Sequence, residues 1–202
     1  MMKTEVDNYK IFIKAFLGGI CISIGCNIYL ACENRIIGAF LFSIGLITIL
    51  LLEFNLFTGK IGYLFRGETF RSVGLTLLGN TIGCIFIGLM FRSGAAEELC
   101  ASKLNGSWLI LLPKAFMCGI LMYIAVETYR RYKSILPAIL CVATFILSGY
   151  EHSIADIAYF VMSGTLSFQS LCFIAAVIIG NCLGGLFIPL CKDIIYTVNT
   201  PY

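Results

Sequence analysis

Apolar and polar positions alternate in blocks along this chain rather than residue by residue. Apolar runs cover roughly 11–32, 36–65, 72–92, 107–128, 134–163 and 170–192, and short polar stretches such as "ENR", "RGETFRS", "RSGAAEELCASKLNGS", "RRYKS" and "SGTLSFQS" separate them. A run of about eighteen or more apolar residues with few charges reads as a membrane-spanning helix. The pattern therefore predicts six membrane passes with the whole of 1–202 as one membrane domain.

Two of the runs are too long for a simple span. Segments two and five each hold about thirty residues, which as a continuous helix would measure about 45 Å against a hydrocarbon core of about 30 Å. Both carry helix-weakening residues near the middle, "LEFNLFTGK" in one and "SGYEHS" in the other. We expect both to be interrupted helices. Backbone that is not helical at membrane depth is tolerated only where protein buries it or where it lines a cavity, so the breaks are expected to line a pathway.

A repeat organises these segments. "KAFLGGI" starts at Lys14 and "KAFMCGI" at Lys114, while "LLGNTIGCIFIG" over 77–88 resembles "IIGNCLGGLFIP" over 178–189. The halves, roughly 11–92 and 107–192, hold three spans each. An odd number of spans inserts the second half in the opposite orientation, and inverted halves with broken helices mark a transport site near the midplane. The glycines of the repeat let helices approach closely.

Composition narrows the class. The chain is 59% hydrophobic and only 12% charged, with a mean hydropathy of +0.95. A soluble domain carries about a quarter charged residues, so a soluble catalytic domain is excluded. The net charge of +3 is too small to imply a nucleic-acid partner. Its distribution sets an expected orientation: Lys3, Lys10, Lys14, Arg66, Arg71, Arg130, Arg131, Lys133 and Lys192 fall on one side, against Arg35, Arg92 and Lys103 on the other. By the positive-inside bias both termini are cytoplasmic, in what we expect to be a bacterial plasma membrane. The ten cysteines form no CxxC pair and lie mostly in apolar segments. They read as small apolar helix residues, and we expect neither a metal site nor a cofactor.

The polar residues inside the apolar runs carry the chemistry. His152 is the chain's one histidine; a titratable side chain at a helix break inside a membrane is a functional candidate because placing it there is costly. It could donate a hydrogen bond or a proton to a passing anion. Glu151 is expected to tie the break to the other half by accepting backbone N–H bonds. Asp156, four residues on, either shares the His152 helix face or makes a polar contact in the bundle. Thr58 either faces His152 across the pathway or bonds its own freed backbone. Asn80 and Asn181 occupy equivalent "GN" positions and are expected to brace the two breaks. Lys114 and Lys14, matched by the repeat, either snorkel or stand at two mouths that attract anions. Phe42, Leu46, Leu56, Phe57 and Phe145 are ordinary packing residues taken singly; together they could form apolar constrictions either side of the polar centre.

These residues carry a resemblance. "SGYEHSIADIAYF" resembles the hallmark "SGFEHSIANMF" of the formate/nitrite transporter family, and "NLFTG" resembles its "ELFTG" or "DLFTS" element. "FSIGLITILLLEFNLFTG", "LLGNTIG" and "IIGNCLGG" fit the family's second, third and sixth helices in order. The resemblance implies an all-α, aquaporin-like fold, one pore per subunit, assembly as a homopentamer in lipid, and passage of small monovalent anions such as formate, nitrite, hydrosulfide, acetate or lactate. It implies that the central histidine and threonine fall on His152 and Thr58, the partner asparagine on Asn181, the vestibule lysine on Lys114, and the gates on Phe42, Phe145, Leu46, Leu56 and Phe57. The acidic residue before "LFT" is Asn55 here, with Glu53 two residues earlier, and a pore-facing asparagine of the fourth helix aligns with Tyr123. The expected function is an anion channel or proton-linked transporter with His152 assisting passage. A neutral-solute or water channel on the same fold is the alternative, and a membrane redox enzyme, suggested only by the cysteines, is a third.

Overall fold

The structure, a computed structural model, describes residues 2–198, with side chains described over 7–195; the Lys3 side chain counted above lies outside the described residues. Among the described residues nine helices follow in order: α1 (Met2–Ala31), α2 (Arg35–Leu51), α3 (Phe57–Lys60) running into a 3-10 turn (Ile61–Tyr63), α4 (Phe70–Met90), α5 (Gly94–Leu104), α6 (Trp108–Tyr132), α7 (Leu136–Leu147), α8 (Ser153–Ser163) and α9 (Phe168–Val198). No strand occurs among the described residues. Among the described residues four helices are long and apolar enough to cross a membrane: Asp7–Ala31 within α1, then α4, α6, and Phe168–Ile195 within α9. The two over-long apolar segments are each divided between shorter helices, α2 with α3 and α7 with α8. One polar stretch read above as punctuation, 92–107, contains α5 instead of running as a loop.

The two breaks are built alike. After α7, Gly149 adopts a left-handed φ of 65°; its N–H donates to the Ile146 carbonyl at 3.1 Å, and the Tyr150 N–H donates to that of Phe145 at 2.9 Å. This is the Schellman closure, which satisfies carbonyls that a helix end leaves open. After α2, Glu53 takes the corresponding place with φ 54°, and the Phe54 N–H donates to the Ile49 carbonyl at 2.9 Å. A left-handed conformation costs a residue with a Cβ roughly 1–2 kcal/mol, so Glu53 is held there by its surroundings. Glu53→Gly is expected to raise stability by about 1 kcal/mol, read as a higher unfolding temperature in detergent; an unchanged or lower value would count against strain at this turn.

Packing follows the glycines. α1 lies along α4, α6 along α9, α2 against α7, and α5 against α8. Gly19 and Gly119 abut the backbone carbonyls of Asn80 and Asn181, where any Cβ would collide. The approach is close enough for the asparagine side chains to reach neighbouring backbone. Large apolar side chains remain exposed on the flanks, among them Ile36, Ile37, Phe40 and Leu41 on α2, and Ile82, Phe86 and Leu89 on α4.

Candidate functional site

Each break leaves backbone groups without helical partners, and one buried asparagine meets two of them together with a carbonyl of an adjoining helix. Asn80 accepts from the Phe57 N–H at 2.8 Å and donates to the carbonyls of Ala15 at 2.7 Å and Asn55 at 2.8 Å. Asn181 accepts from the Ser153 N–H at 2.8 Å and donates to the carbonyls of Ala115 at 2.8 Å and Glu151 at 2.9 Å. Asn55 adds a side-chain bond to the Ile11 carbonyl at 3.2 Å, and its N–H donates to the Lys14 carbonyl at 3.1 Å. Both asparagines are fully buried.

The second break delivers His152 as the N-cap of α8. Its Nδ1 accepts from the Ala155 N–H at 3.2 Å. A backbone N–H can only donate, so Nδ1 is bare and the ring proton sits on Nε2. Nε2 lies 2.9 Å from Thr58 Oγ1, and Thr58, the second residue of α3, is fully buried. The imidazole is therefore a neutral donor to the threonine oxygen, and the threonine hydroxyl proton remains available to a further acceptor. Phe145 stacks on the imidazole with ring centroids 5.5 Å apart and an interplanar angle of 20°. Phe42 meets Phe145 edge-on at 5.8 Å.

Cavities open at both ends of this pair. At the α5 end, one of about 180 Å³ is lined by Lys103, Lys114, Glu151 and Trp108 among others. A smaller one of about 70 Å³ reaches Phe145, His152 and Asp156. At the opposite end of α6, a cavity of about 370 Å³ is lined by Leu46, Leu56, Glu53, Lys60, Arg130 and Lys133 among others. Lys114 and Val126, which border the cavities at the two ends, are twelve residues apart on α6, a rise of about 18 Å. Phe42, Phe145, His152, Thr58, Leu56 and Leu46 are all buried; Phe145 and His152 border the smaller cavity, and Leu46 and Leu56 the one at the opposite end. Phe57 is buried beside them and contributes the N–H that Asn80 receives.

Other expected residues sit differently. Glu151 does not accept backbone N–H bonds through its carboxylate; it pairs with Lys103, and its backbone carbonyl receives Asn181. Lys114 is half-buried at the α5-end cavity. Lys14 is exposed and does not line the opposite cavity, where Lys60, Arg130 and Lys133 stand instead. Lys60 there is held by Glu68 at 3.0 Å, and Arg130 lies 4.1 Å over the Tyr63 ring. Tyr123 lines neither cavity; it is buried against Gly62 and Tyr63 with its hydroxyl unpaired. Glu53 supports its break through its backbone turn, with its side chain exposed at the cavity rim.

Sequence reasoning missed Lys103. It stands on α5, outside the long apolar helices, and reaches Glu151 and Asp156, the latter at 3.0 Å. Burial alone would lower its pKa, but the Asp156 and Glu151 carboxylates outweigh that and hold it above the ordinary lysine value. The ammonium therefore stays charged throughout the physiological range. A signal was present: Ala96, Cys100 and Lys103 fall at i, i+4 and i+7, and the first two are fully buried. Among the described residues, no group of three or more metal-ligating side chains is assembled.

Comparison with known proteins places this geometry. A family model described as formate/nitrite transporter matches residues 1–192. The nitrite transporter NirC of Escherichia coli (strain K12) is 27% identical over 144 residues, covering 60% of this chain and 54% of that protein. NirC of Salmonella typhimurium (strain LT2) matches at the same identity and coverage. The chain's match thus spans about half the length of these curated relatives. Among solved structures, a pentameric formate channel with formate bound superposes with a TM-score of 0.77 at 24% identity, covering 96% of this chain and 99% of that one. A channel described as an FNT family ion channel gives 0.76 at 22%, covering 96% and 90%.

Proposed function

The chain belongs to the formate/nitrite transporter family, an integral multi-pass membrane protein, and from that premise we propose that it conducts small monovalent weak-acid anions such as formate, nitrite or hydrosulfide. The observation that carries the reading is the His152–Thr58 pair, buried between cavities at the two ends of α6 and flanked by apolar side chains.

The finer architecture belongs to the same proposal. We read 1–202 as one membrane domain of six passes in two inverted halves, roughly 11–92 and 107–192, aquaporin-like, with segments two and five broken. Matching asparagine braces at the two breaks support the pairing of the halves. The charge bias puts both termini in the cytoplasm and the α5 end outside, and the bacterial relatives support a plasma-membrane location. The exposed apolar faces of α2 and α4 suit lipid and neighbouring subunits, and the pentameric neighbour supports a homopentamer.

The mechanism follows from the donors. An anion gathers at the outer mouth beside Lys114, or at the inner mouth beside Arg130 and Lys133. Phe42 with Phe145 on one side, and Leu46 with Leu56 on the other, exclude a hydrated ion. A charge at the bilayer centre costs about 3 kcal/mol or more. The Thr58 hydroxyl, oriented by Nε2–H of His152, donates to the anion and offsets part of that cost. Outright loss of the Nε2 proton would leave an imidazolate. A proton relay through the ring therefore requires Nδ1 to release the Ala155 N–H and take a proton from the outer side. The neutral tautomer also suits a neutral-solute channel. Comparing formate, nitrite and hydrosulfide flux in proteoliposomes across pH, alongside swelling with uncharged solutes, tests the proposal. Flux of at least one anion well above that of protein-free vesicles is expected; swelling without anion flux would overturn it.

A further inference from the structure

Three charged groups meet beside the path with an uneven balance. Lys103 Nζ lies 3.0 Å from Asp156 Oδ1 and also pairs with Glu151. All three side chains are largely buried, with relative exposures of 13%, 1% and 8% for Lys103, Asp156 and Glu151. Two carboxylates around one ammonium leave a net charge of −1, next to the cavity that reaches His152. That sign opposes an anion approaching from this end. The second oxygen of Asp156, Oδ2, is buried and has no hydrogen-bond partner, although an ionised carboxylate oxygen strongly prefers one.

The groups packed on Asp156 do not correct the balance, and Lys114, outside ion-pair distance of both carboxylates, offsets it only at the larger cavity. From α5 come Lys103 and the Cys100 thiol, from α1 the Cys26 thiol and Tyr29, and from α8 Tyr159 and the neutral His152. From α6 come the Cys118 thiol, near both carboxylates, and Lys114 at the larger cavity. Arg35 of α2 lines the smaller cavity but is exposed, so water screens its charge. The thiols and the Tyr159 phenol are neutral in the physiological range. The family motif quoted above has asparagine where this chain has Asp156, so the extra carboxyl is this chain's own.

We propose that Glu151 and Asp156 bind one proton between them, taken from the outer water, and that this proton sets the charge at the outer entrance. The inference rests on the transport reading for its consequence, but the proton site stands on the cluster itself. With the proton bound, one carboxyl becomes a donor, the second Asp156 oxygen gains a partner, and the cluster with Lys103 is neutral. When outer pH rises the proton returns to water, the cluster becomes net negative, and anion entry slows. No other bond changes.

The experiment is nitrite flux in proteoliposomes at fixed inner pH and varied outer pH, since nitrite is an anion throughout a neutral-to-alkaline range. Wild-type flux is expected to fall several-fold as outer pH rises. Asp156→Asn is expected to stay near the acid-side wild-type flux at every outer pH, and Asp156→Glu to restore the dependence. A wild-type pH profile in the Asp156→Asn protein would overturn the proposal. A second measurement does not depend on transport. Infrared difference spectroscopy of the wild-type protein in lipid nanodiscs should show a titrating carboxylic-acid C=O band that Asp156→Asn removes. Nitrite flux in wild type with no such band sinks the proton site and leaves the transport reading intact. The band without nitrite flux in any form sinks nitrite transport and leaves the proton site standing.

Discussion

Asn181→Leu is expected to cost about 2–6 kcal/mol of stability and to abolish flux. Leucine keeps the branched heavy-atom skeleton of asparagine and is no smaller, so the effect is not a cavity effect. The Ser153 N–H and the Glu151 carbonyl would each lose their partner in a buried place, while the carbonyl of Ala115, inside α6, would lose only its second bond. An orphaned buried group costs about 1–3 kcal/mol, and a polar contact between membrane helices averages about 0.6 kcal/mol. Two groups orphaned together give the range stated. Thermal unfolding in detergent measures the loss, and Asn80→Leu should give a loss of similar size, because Asn80 meets three groups of the same kinds at the other break. A stable, conducting Asn181→Leu protein would mean that the breaks are held by something other than these amides.

His152→Asn separates chemistry from folding. Asparagine is a good N-cap, so α8 keeps a side-chain acceptor at its start. The shorter amide withdraws from Thr58 Oγ1, 2.9 Å away in the native protein, and it cannot titrate. A hydrogen bond to a charged group is worth about 1.5–3 kcal/mol, so anion flux is expected to fall about ten- to a hundredfold with little change in unfolding temperature. Loss of the ring should also change the pH dependence of the remaining flux. Unchanged flux and pH profile in proteoliposomes would remove His152 from the mechanism.

The breaks and their bracing are legible in the sequence because they rest on local rules. A thirty-residue apolar run interrupted by "SGYEHS" exceeds what a bilayer can hold, and Gly149 is the residue type that a left-handed helix end favours. The repeat places Asn80 and Asn181 in matching positions, and matching positions make matching bonds. The same repeat misleads at Lys14. It equates backbone positions, whereas the side chain that lines a cavity depends on what packs nearby, and there Lys60, Arg130 and Lys133 take the place. At the first break only the left-handed turn is hidden, because a non-glycine residue, Glu53, occupies it. Lys103 is hidden because its partners, Glu151 and Asp156, lie about fifty residues further along the chain. Tyr123 aligns with a pore-facing asparagine of the family's fourth helix, but in this chain that position faces Gly62.

The origin of each brace has a consequence for biogenesis. Asn80 on α4 reaches Ala15 of α1 and the break after α2, while Asn181 on α9 reaches Ala115 of α6 and the break after α7. Neither clasp borrows from the other half. The N-terminal half of the chain can lock its own kink while the ribosome is still making the rest, and the contacts between the halves, among them Thr58 with His152 and Phe42 with Phe145, form afterwards. Two separately translated fragments divided near residue 106 should therefore reassemble in the membrane into a working conduit.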